Sequence, residues 1–409
     1  MCKRIFFSVI FCAVFSASAF CAENSYNFKK SKAIKDSRQK TFSQVDVKQQ
    51  VYNMETGWNL GNTLDATGGT ALKSEISWGM PYTTKEMIDG IAASGIKTIR
   101  IPVSWANHFI DDRYTIDPAW MKRVKQIVDW AIDDGMYVIL NTHHDNYPRN
   151  ENMPHCSGYY PSPVNSNESI LYVKNVWAQI ALAFNSGYDE HLVFELLNEP
   201  RLRGHGHEWD YNPSCKDCKY AAGQINKLNQ IAVDVIRASG SNNLKRFIMV
   251  SGIAASFNSY IKDNSFTFPK DFMNEEISSQ RFILSVHIYA PYEFAMKNPG
   301  VRDISASQLG ELAYYFESLN EKFIQKGYPV IIGEYGATNK DNLDARIEWF
   351  KFFISESRKY GITSCLWDNG DMDTENTYEE KFGFYNRKQQ VWYFPEICET
   401  IVETLKKEE

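Results

Sequence analysis

Eight short apolar runs, separated by stretches of helical periodicity, predict a single α/β domain of the (β/α)8 barrel class. Two further observations agree. The chain has 409 residues, enough for one large barrel. No Gly-rich GxGxxG turn follows the first run, which argues against a dinucleotide-binding sheet.

In chain order, residues 1–22 read as a secretory signal peptide. Lys3-Arg4 precede an apolar stretch from Ile5 to Phe15, and Ser16-Ala17-Ser18-Ala19 offers a cleavage site after Ala19. Phe20 before Cys21 makes a poor lipoprotein signal, and no later apolar run has the length to span a bilayer, so the mature chain is expected outside the cell, unattached to membrane. Residues 23–42 are polar, without sustained apolar period, and read as a linker; residues 43–409 are assigned to the barrel. The strand-like runs are Thr56–Leu60, Thr98–Val103, Tyr137–Thr142, Leu192–Asn198, Arg246–Ser251, Phe282–Tyr289, Val330–Glu334 and Ser364–Trp367. Thr83-Thr84-Lys85-Glu86 has the pattern of a capping box, followed by Met87, Ile88, Ile91 and Ala92 at helical spacing and a stop at Gly95. Asp117-Pro118 starts another helix, whose Met121, Val124, Ile127, Val128, Ala131 and Ile132 form one stripe before Gly135. A last periodic segment runs from Pro395 to Leu405, and no internal repeat is evident.

The formal net charge is −6 and no long Lys/Arg run occurs, so the electrostatic footprint of a nucleic-acid binder is missing. Aromatics make up 14% of the chain, which suits either core packing or a cleft that stacks on sugar rings. Cys215-Lys216-Asp217-Cys218 lies in a polar loop and reads as a local disulfide in an oxidising compartment. A zinc site is the alternative, since His205 and His207 lie just upstream and His155-Cys156 in another loop, although the spacing matches no common finger. Cys365 falls in a strand run and reads as an inert core thiol.

The chemistry concentrates at strand ends. Glu199 in Leu197-Asn198-Glu199-Pro200 and Glu334 in Ile332-Gly333-Glu334-Tyr335-Gly336 each close an apolar run, and in a parallel barrel both would reach the same face. Two facing carboxyls suit glycosidic bond cleavage, one protonating the leaving oxygen and the other attacking the anomeric carbon or activating water. Arg100, His143, His144, Asn198, His287, Tyr289 and Trp367 also sit near ends of runs. Each has an ordinary alternative: Arg100 as a buried salt-bridge partner of a strand carboxylate, one of His143 and His144 as packed core or both as metal ligands, Trp367 as a core aromatic.

Taken together, these motifs resemble glycoside hydrolase family 5, in particular its endoglucanase-rich subfamily 4, from about Val45 to Leu405. Gly57-Trp58-Asn59-Leu60-Gly61-Asn62-Thr63-Leu64-Asp65-Ala66 is similar to its opening signature, Ile99-Arg100-Ile101-Pro102 to its supporting arginine, and Asn141-Thr142-His143-His144-Asp145 to its His pair. Asn198-Glu199-Pro200, His287-Ile288-Tyr289 and Trp367 complete the likeness. The resemblance implies a retaining double displacement with Glu334 as nucleophile and Glu199 as acid/base. It also implies sugar contacts from Asn62 and Asn198, a hydrogen bond from Tyr289 to Glu334, Trp367 as a sugar platform, and no metal or cofactor. The expected partner is a β-glucan, cellulose or mixed-linkage, acted on by a monomer; xyloglucan, xylan and mannan are alternative backbones. An idle polysaccharide-binding barrel and a metal-dependent hydrolase built on His143, His144, His205 and His207 are the rival classes. The loop from Arg203 through Trp209 to the Cys215/Cys218 pair departs from the family pattern; Trp209 there, and Trp78 elsewhere, are candidate stacking surfaces.

Overall fold

The computed structural model describes residue 28 and residues 33–148, 158–262, 264–272, 281–372 and 380–407. The expected signal peptide, Cys21, and the His155-Cys156 pair lie outside the described residues. Eight strands close a barrel in sequence order: β1 (Thr56–Asn59), β2 (Thr98–Ile101), β3 (Tyr137–Asn141), β4 (Leu192–Glu195), β5 (Ile248–Val250), β6 (Phe282–Ile288), β7 (Val330–Tyr335) and β8 (Thr363–Leu366). Every pairing is parallel, including β8 against β1. The strands are buried on both faces, which is why they read as continuous apolar runs rather than alternating ones.

Residues 85–93, 118–133, 166–183, 216–238, 257–262, 306–322, 343–359 and 395–407 are helical and follow β1 to β8 in turn. Burying Met87, Ile88 and Ile91 on one side, and Met121, Val124, Ile127, Val128 and Ala131 on the next, packs these helices on the barrel wall. Asp117 caps its helix through the Ala119 N–H, as its sequence predicts. The expected capping box at Thr83 does not form. The Glu75 carboxylate takes the Thr83 N–H at 2.7 Å, and the helix begins one residue later with Thr84 as N-cap.

Inside the barrel Ile139, Val193, Met249, Ile283, Ile331 and Cys365 form a second core. Burial pushes the Cys365 thiol up to about 12, consistent with an inert packing role. Gly57 must lack a side chain because a Cβ there would stand 2.5 Å from Cys365 Sγ. At the amino ends of the strands the helix Val47–Asn53 plugs this core with Val47, Val51 and Met54, and Phe42 packs beside them. Thr98 Oγ1 bonds the Met54 carbonyl at 2.6 Å, tying the plug to the start of β2.

Residues 36–42 are not a free linker. Asp36 N–H bonds the Leu182 carbonyl at 2.9 Å, Asp36 Oδ2 accepts the Gly187 N–H at 2.6 Å, and Arg38 reaches Asp129 at 3.0 Å. The polar composition misled because this strap is held by hydrogen bonds and by one apolar anchor, Phe42, rather than by an apolar period.

Candidate active site

Strand register brings the polar residues together. Asn59 lies beside Arg100 across β1–β2, Asn141 beside Glu195 across β3–β4, and His287 beside Glu334 across β6–β7, where a bulge between Val286 and His287 shifts the ladder. At the centre is Arg100, fully buried. Its Nε donates to Glu195 at 2.8 Å, Nη1 to Glu334 at 2.9 Å and to Asn59 at 2.9 Å, and Nη2 to Asn198 at 2.6 Å. Both readings of Arg100 therefore hold at once: it is the salt-bridge partner of a strand carboxylate and the support of Glu334. Gly333 permits this approach, because a Cβ there would lie 3.0 Å from His287 Nε2 and 3.4 Å from Arg100 Nε.

Glu334 lies next to the last residue of β7 and also accepts from the Tyr289 hydroxyl at 2.9 Å. Its two oxygens thus each receive a donor, an arrangement that fixes the orientation of the carboxyl. Glu199 stands four residues beyond the end of β4, 17% exposed at its side chain. Oε1 pairs with His287 Nδ1 at 2.8 Å and Oε2 with Arg201 Nη1 at 3.3 Å. Burial pushes the Glu199 carboxyl up, but the His287 hydrogen bond and the charges of His287, Arg201 and His144 outweigh it and hold it at about 2. Burial pushes His287 down, whereas the charge of Glu334 and the bond to Glu199 prevail and raise it above the ordinary imidazole value. Each partner of the pair thus favours the charged form of the other. A carboxylate oxygen of Glu199 lies within 4.8 Å of one of Glu334.

The remaining sequence-predicted residues line the same face. His143 is buried, with Nδ1 3.1 Å from Asn141 Nδ2 and Nε2 3.4 Å from Asn198 Nδ2, and it stacks parallel to Trp367 at 5.7 Å. Burial, then the charges of His144 and Arg100, hold it neutral. His144 points toward Asp65 Oδ2 at 3.7 Å and tilts against Trp78 at 5.4 Å; burial lowers it to about 4. Asn62 takes a left-handed backbone conformation, φ 55°, and donates its N–H to Asp65 at 3.0 Å. Trp78 is 38% exposed and Trp209 56%, and the Arg201 guanidinium covers one face of the Trp209 ring at 3.9 Å.

Several residues escaped the sequence reading. Glu195, wholly buried, accepts from Arg100, from Asn141 at 2.9 Å and from Ser285 at 2.6 Å. Its only sequence signal is a carboxylate inside an apolar run. Asp145, raised by burial to about 6, accepts the N–H groups of Trp105 and Ala106 at 3.0 Å. Asp368 receives Trp58 Nε1 at 2.8 Å, and Arg387 bonds the Gly61 carbonyl at 2.6 Å, so the opening segment is fastened from the far end of the chain.

One expected bond is absent. Cys215 and Cys218 are free thiols, and Cys215 instead caps the helix Lys216–Ala238 by accepting the Cys218 N–H at 3.3 Å on its sulfur. His205 and His207 tilt against each other at 5.6 Å in this loop; among the described residues His205 groups with Cys215 and Cys218, whereas His143 and His144 group with Asp65, so the four histidines do not form one cluster.

Two carboxyls facing each other on the carboxyl-terminal mouth of a parallel barrel, one anchored by an arginine and the other paired with a histidine, define the site of a glycoside hydrolase. Residues 59–373 match the family described as Cellulase (glycosyl hydrolase family 5). Endoglucanase B of Ruminococcus albus is 44% identical over 358 residues, covering 87% of this chain and 80% of the relative. Among solved structures, a family 5 lichenase from Caldicellulosiruptor sp. F32 in complex with cellotetraose superposes with a TM-score of 0.81 at 37% identity, over 91% of this chain and 99% of that one. A GH5-4 broad specificity endoglucanase from Ruminococcus champanellensis with bound cellotriose gives 0.79 at 35% identity, over 89% and 100%. The chain belongs to glycosyl hydrolase family 5, the cellulase family.

Proposed function

We propose that the protein is a secreted, monomeric, endo-acting β-1,4-glucanase that cleaves cellulose or mixed-linkage β-glucan with retention of anomeric configuration. The observation that carries this reading is the asymmetric carboxyl pair: Glu334 is anchored by hydrogen bonds from Arg100 and Tyr289, Glu199 pairs with His287 at 2.8 Å, and an oxygen of each carboxyl lies within 4.8 Å of one of the other. A separation of that order matches the roughly 5–5.5 Å of double-displacement enzymes rather than the roughly 6.5–9.5 Å at which a base activates water in a single displacement. Glu334 attacks the anomeric carbon and forms a glycosyl ester. The His287 Nδ1 proton passes through Glu199 to the departing oxygen. Ester formation neutralises Glu334, and Glu199 then removes a proton from the incoming water and returns it to the pair. The names of the relatives, an endoglucanase and a lichenase, support a β-glucan backbone. The amino-terminal segment with its cleavage pattern supports export.

The experiment is the product profile on soluble cellulose derivatives, mixed-linkage glucan, xylan and mannan, with the anomer followed by NMR during the first turnovers. Rapid viscosity loss and initial release of the β-anomer are expected on the glucans. Initial α-anomer, or monosaccharide release without viscosity loss, overturns the mechanism or the endo reading respectively.

A further inference from the structure

We propose that His205, Cys215 and Cys218 form a binding site for a soft divalent metal of the zinc class, a staple between the loop that follows Glu199 and the first turn of the helix Lys216–Ala238. One ligand atom from each residue lies within 4.8 Å of the others. A tetrahedral zinc centre, with bonds of about 2.0–2.3 Å, sets its ligand atoms roughly 3.4–3.8 Å apart, so closing the site takes a movement of about 1 Å in side chains at the edge of a loop. Two sulfurs and an imidazole are the donor set that zinc selects over magnesium or calcium.

The surroundings suit a metal-bound sulfur and a metal-bound imidazole. The Cys218 N–H already points at Cys215 Sγ at 3.3 Å, at the positive end of a helix of 23 residues. Nδ1 of His205 accepts the His207 N–H at 3.1 Å, which makes Nδ1 the lone-pair nitrogen and leaves the ring proton on Nε2. That proton faces Asp217 Oδ2 at 3.7 Å. With the metal replacing the His207 N–H at Nδ1, the result is a carboxylate–histidine–metal relay, the outer-shell arrangement that orients metal-bound histidines. The fourth position is left to water. A hollow lined by Tyr160, Pro163, Leu202, His205 and Asp217 opens beside the imidazole.

The site is separate from the chemistry but mechanically joined to it. Arg201 donates to Glu199 and, through Nε at 3.0 Å, to Glu208; Glu208 in turn accepts the Gly204 N–H at 2.7 Å. A metal on His205 therefore pins the segment that holds Arg201 and carries Trp209, while touching neither carboxyl of the catalytic pair.

The test uses the full-length protein, purified with reductant, stripped by chelator and titrated with Co²⁺, then Zn²⁺. One equivalent of cobalt is expected to produce thiolate charge-transfer absorption and the visible bands of a tetrahedral site, and zinc to bleach them. Zinc also raises Tm while the rate on soluble β-glucan at ambient temperature stays within about twofold. Cys215→Ser and Cys218→Ser abolish the bands, and Asp217→Asn weakens binding by about 10–100-fold. If the cysteine variants misfold, His205→Ala, at a partly exposed loop position, supplies the same comparison. Three results overturn the proposal: no bands in wild type whose thiols titrate as free, bands that persist in the His205→Ala and cysteine variants, or an exported enzyme whose Cys215 and Cys218 are joined as a disulfide.

Discussion

Replacing Glu199 with Gln probes both the stability and the chemistry of the proton-sharing pair. The bond removed joins a raised imidazole to a depressed carboxylate at 2.8 Å, in a side chain only 17% exposed. Repulsion from Glu334 acts the other way, yet the carboxyl sits below its ordinary 4.5, so attraction wins and the substitution destabilises. A hydrogen bond between charged partners contributes about 1.5–3 kcal/mol. For a chain of this length that is a fall in Tm of about 2–4 °C. The pH dependence distinguishes it from generic damage. Glu199, lowered, contributes stability that is complete above about 4.5 and lost as pH falls toward its folded value; His287, raised, contributes stability complete below 6.5 and lost as pH rises through its folded value. The difference between wild type and variant is therefore greatest between pH 4.5 and 6.5 and shrinks on either side. Thermal unfolding from pH 3 to 9 measures it. In the same variant hydrolysis of β-glucan falls by roughly 10²–10⁴-fold, while an aryl cellobioside with an acidic phenol, which needs no protonation to leave, still forms the glycosyl-enzyme quickly. A Tm deficit that is flat in pH, or equal losses on the two substrates, refutes the shared proton.

Arg100→Met leaves two buried carboxylates without their cation and is expected to cost about 3–5 kcal/mol, read as a lower urea midpoint at unchanged slope; a loss below 1 kcal/mol contradicts the central role given to this guanidinium. Ser285→Ala removes a donor from wholly buried Glu195 and should cost about 1–3 kcal/mol without altering KM, whereas a change confined to KM would place Ser285 at the substrate. Gly57→Ala forces a methyl onto Cys365 Sγ and should destabilise by about 1–3 kcal/mol, with partial recovery in Gly57→Ala/Cys365→Ala; no recovery rules out that contact as the cause. Trp209→Ala should raise KM for long oligosaccharides several-fold and leave aryl cellobioside hydrolysis unchanged, and equal KM values for both variants of the enzyme remove this indole from the cleft.

The order of the barrel was legible because its strands, buried on both faces, stand out as β-branched runs, and because Gly95 and Gly135 stop the helices that precede the next strand with positive φ. The residues of the site were legible one motif at a time. Their connections were not. Arg100 serves partners contributed by β1, by β4 and its outgoing loop, and by β7, and no local pattern announces that Glu195 and Glu334 share one cation. The strap at residues 36–42 was missed for the same reason, since its hydrogen bonds go to Leu182, Ser186 and Gly187, far along the chain. Cys215 and Cys218 look alike in sequence, yet the first works as a helix cap and the second is buried, a difference set by where the helix begins.

The seal on the barrel floor has a bearing on how the enzyme meets an insoluble polymer. Phe42, Val51 and Met54 close the amino ends of the strands, and the strap ahead of them is fastened at Leu182, Ser186 and Gly187, so residues 36–54 cover the side of the barrel away from the catalytic mouth. The strap and its plug therefore take up none of the opposite face, where a long glucan meets the catalytic pair.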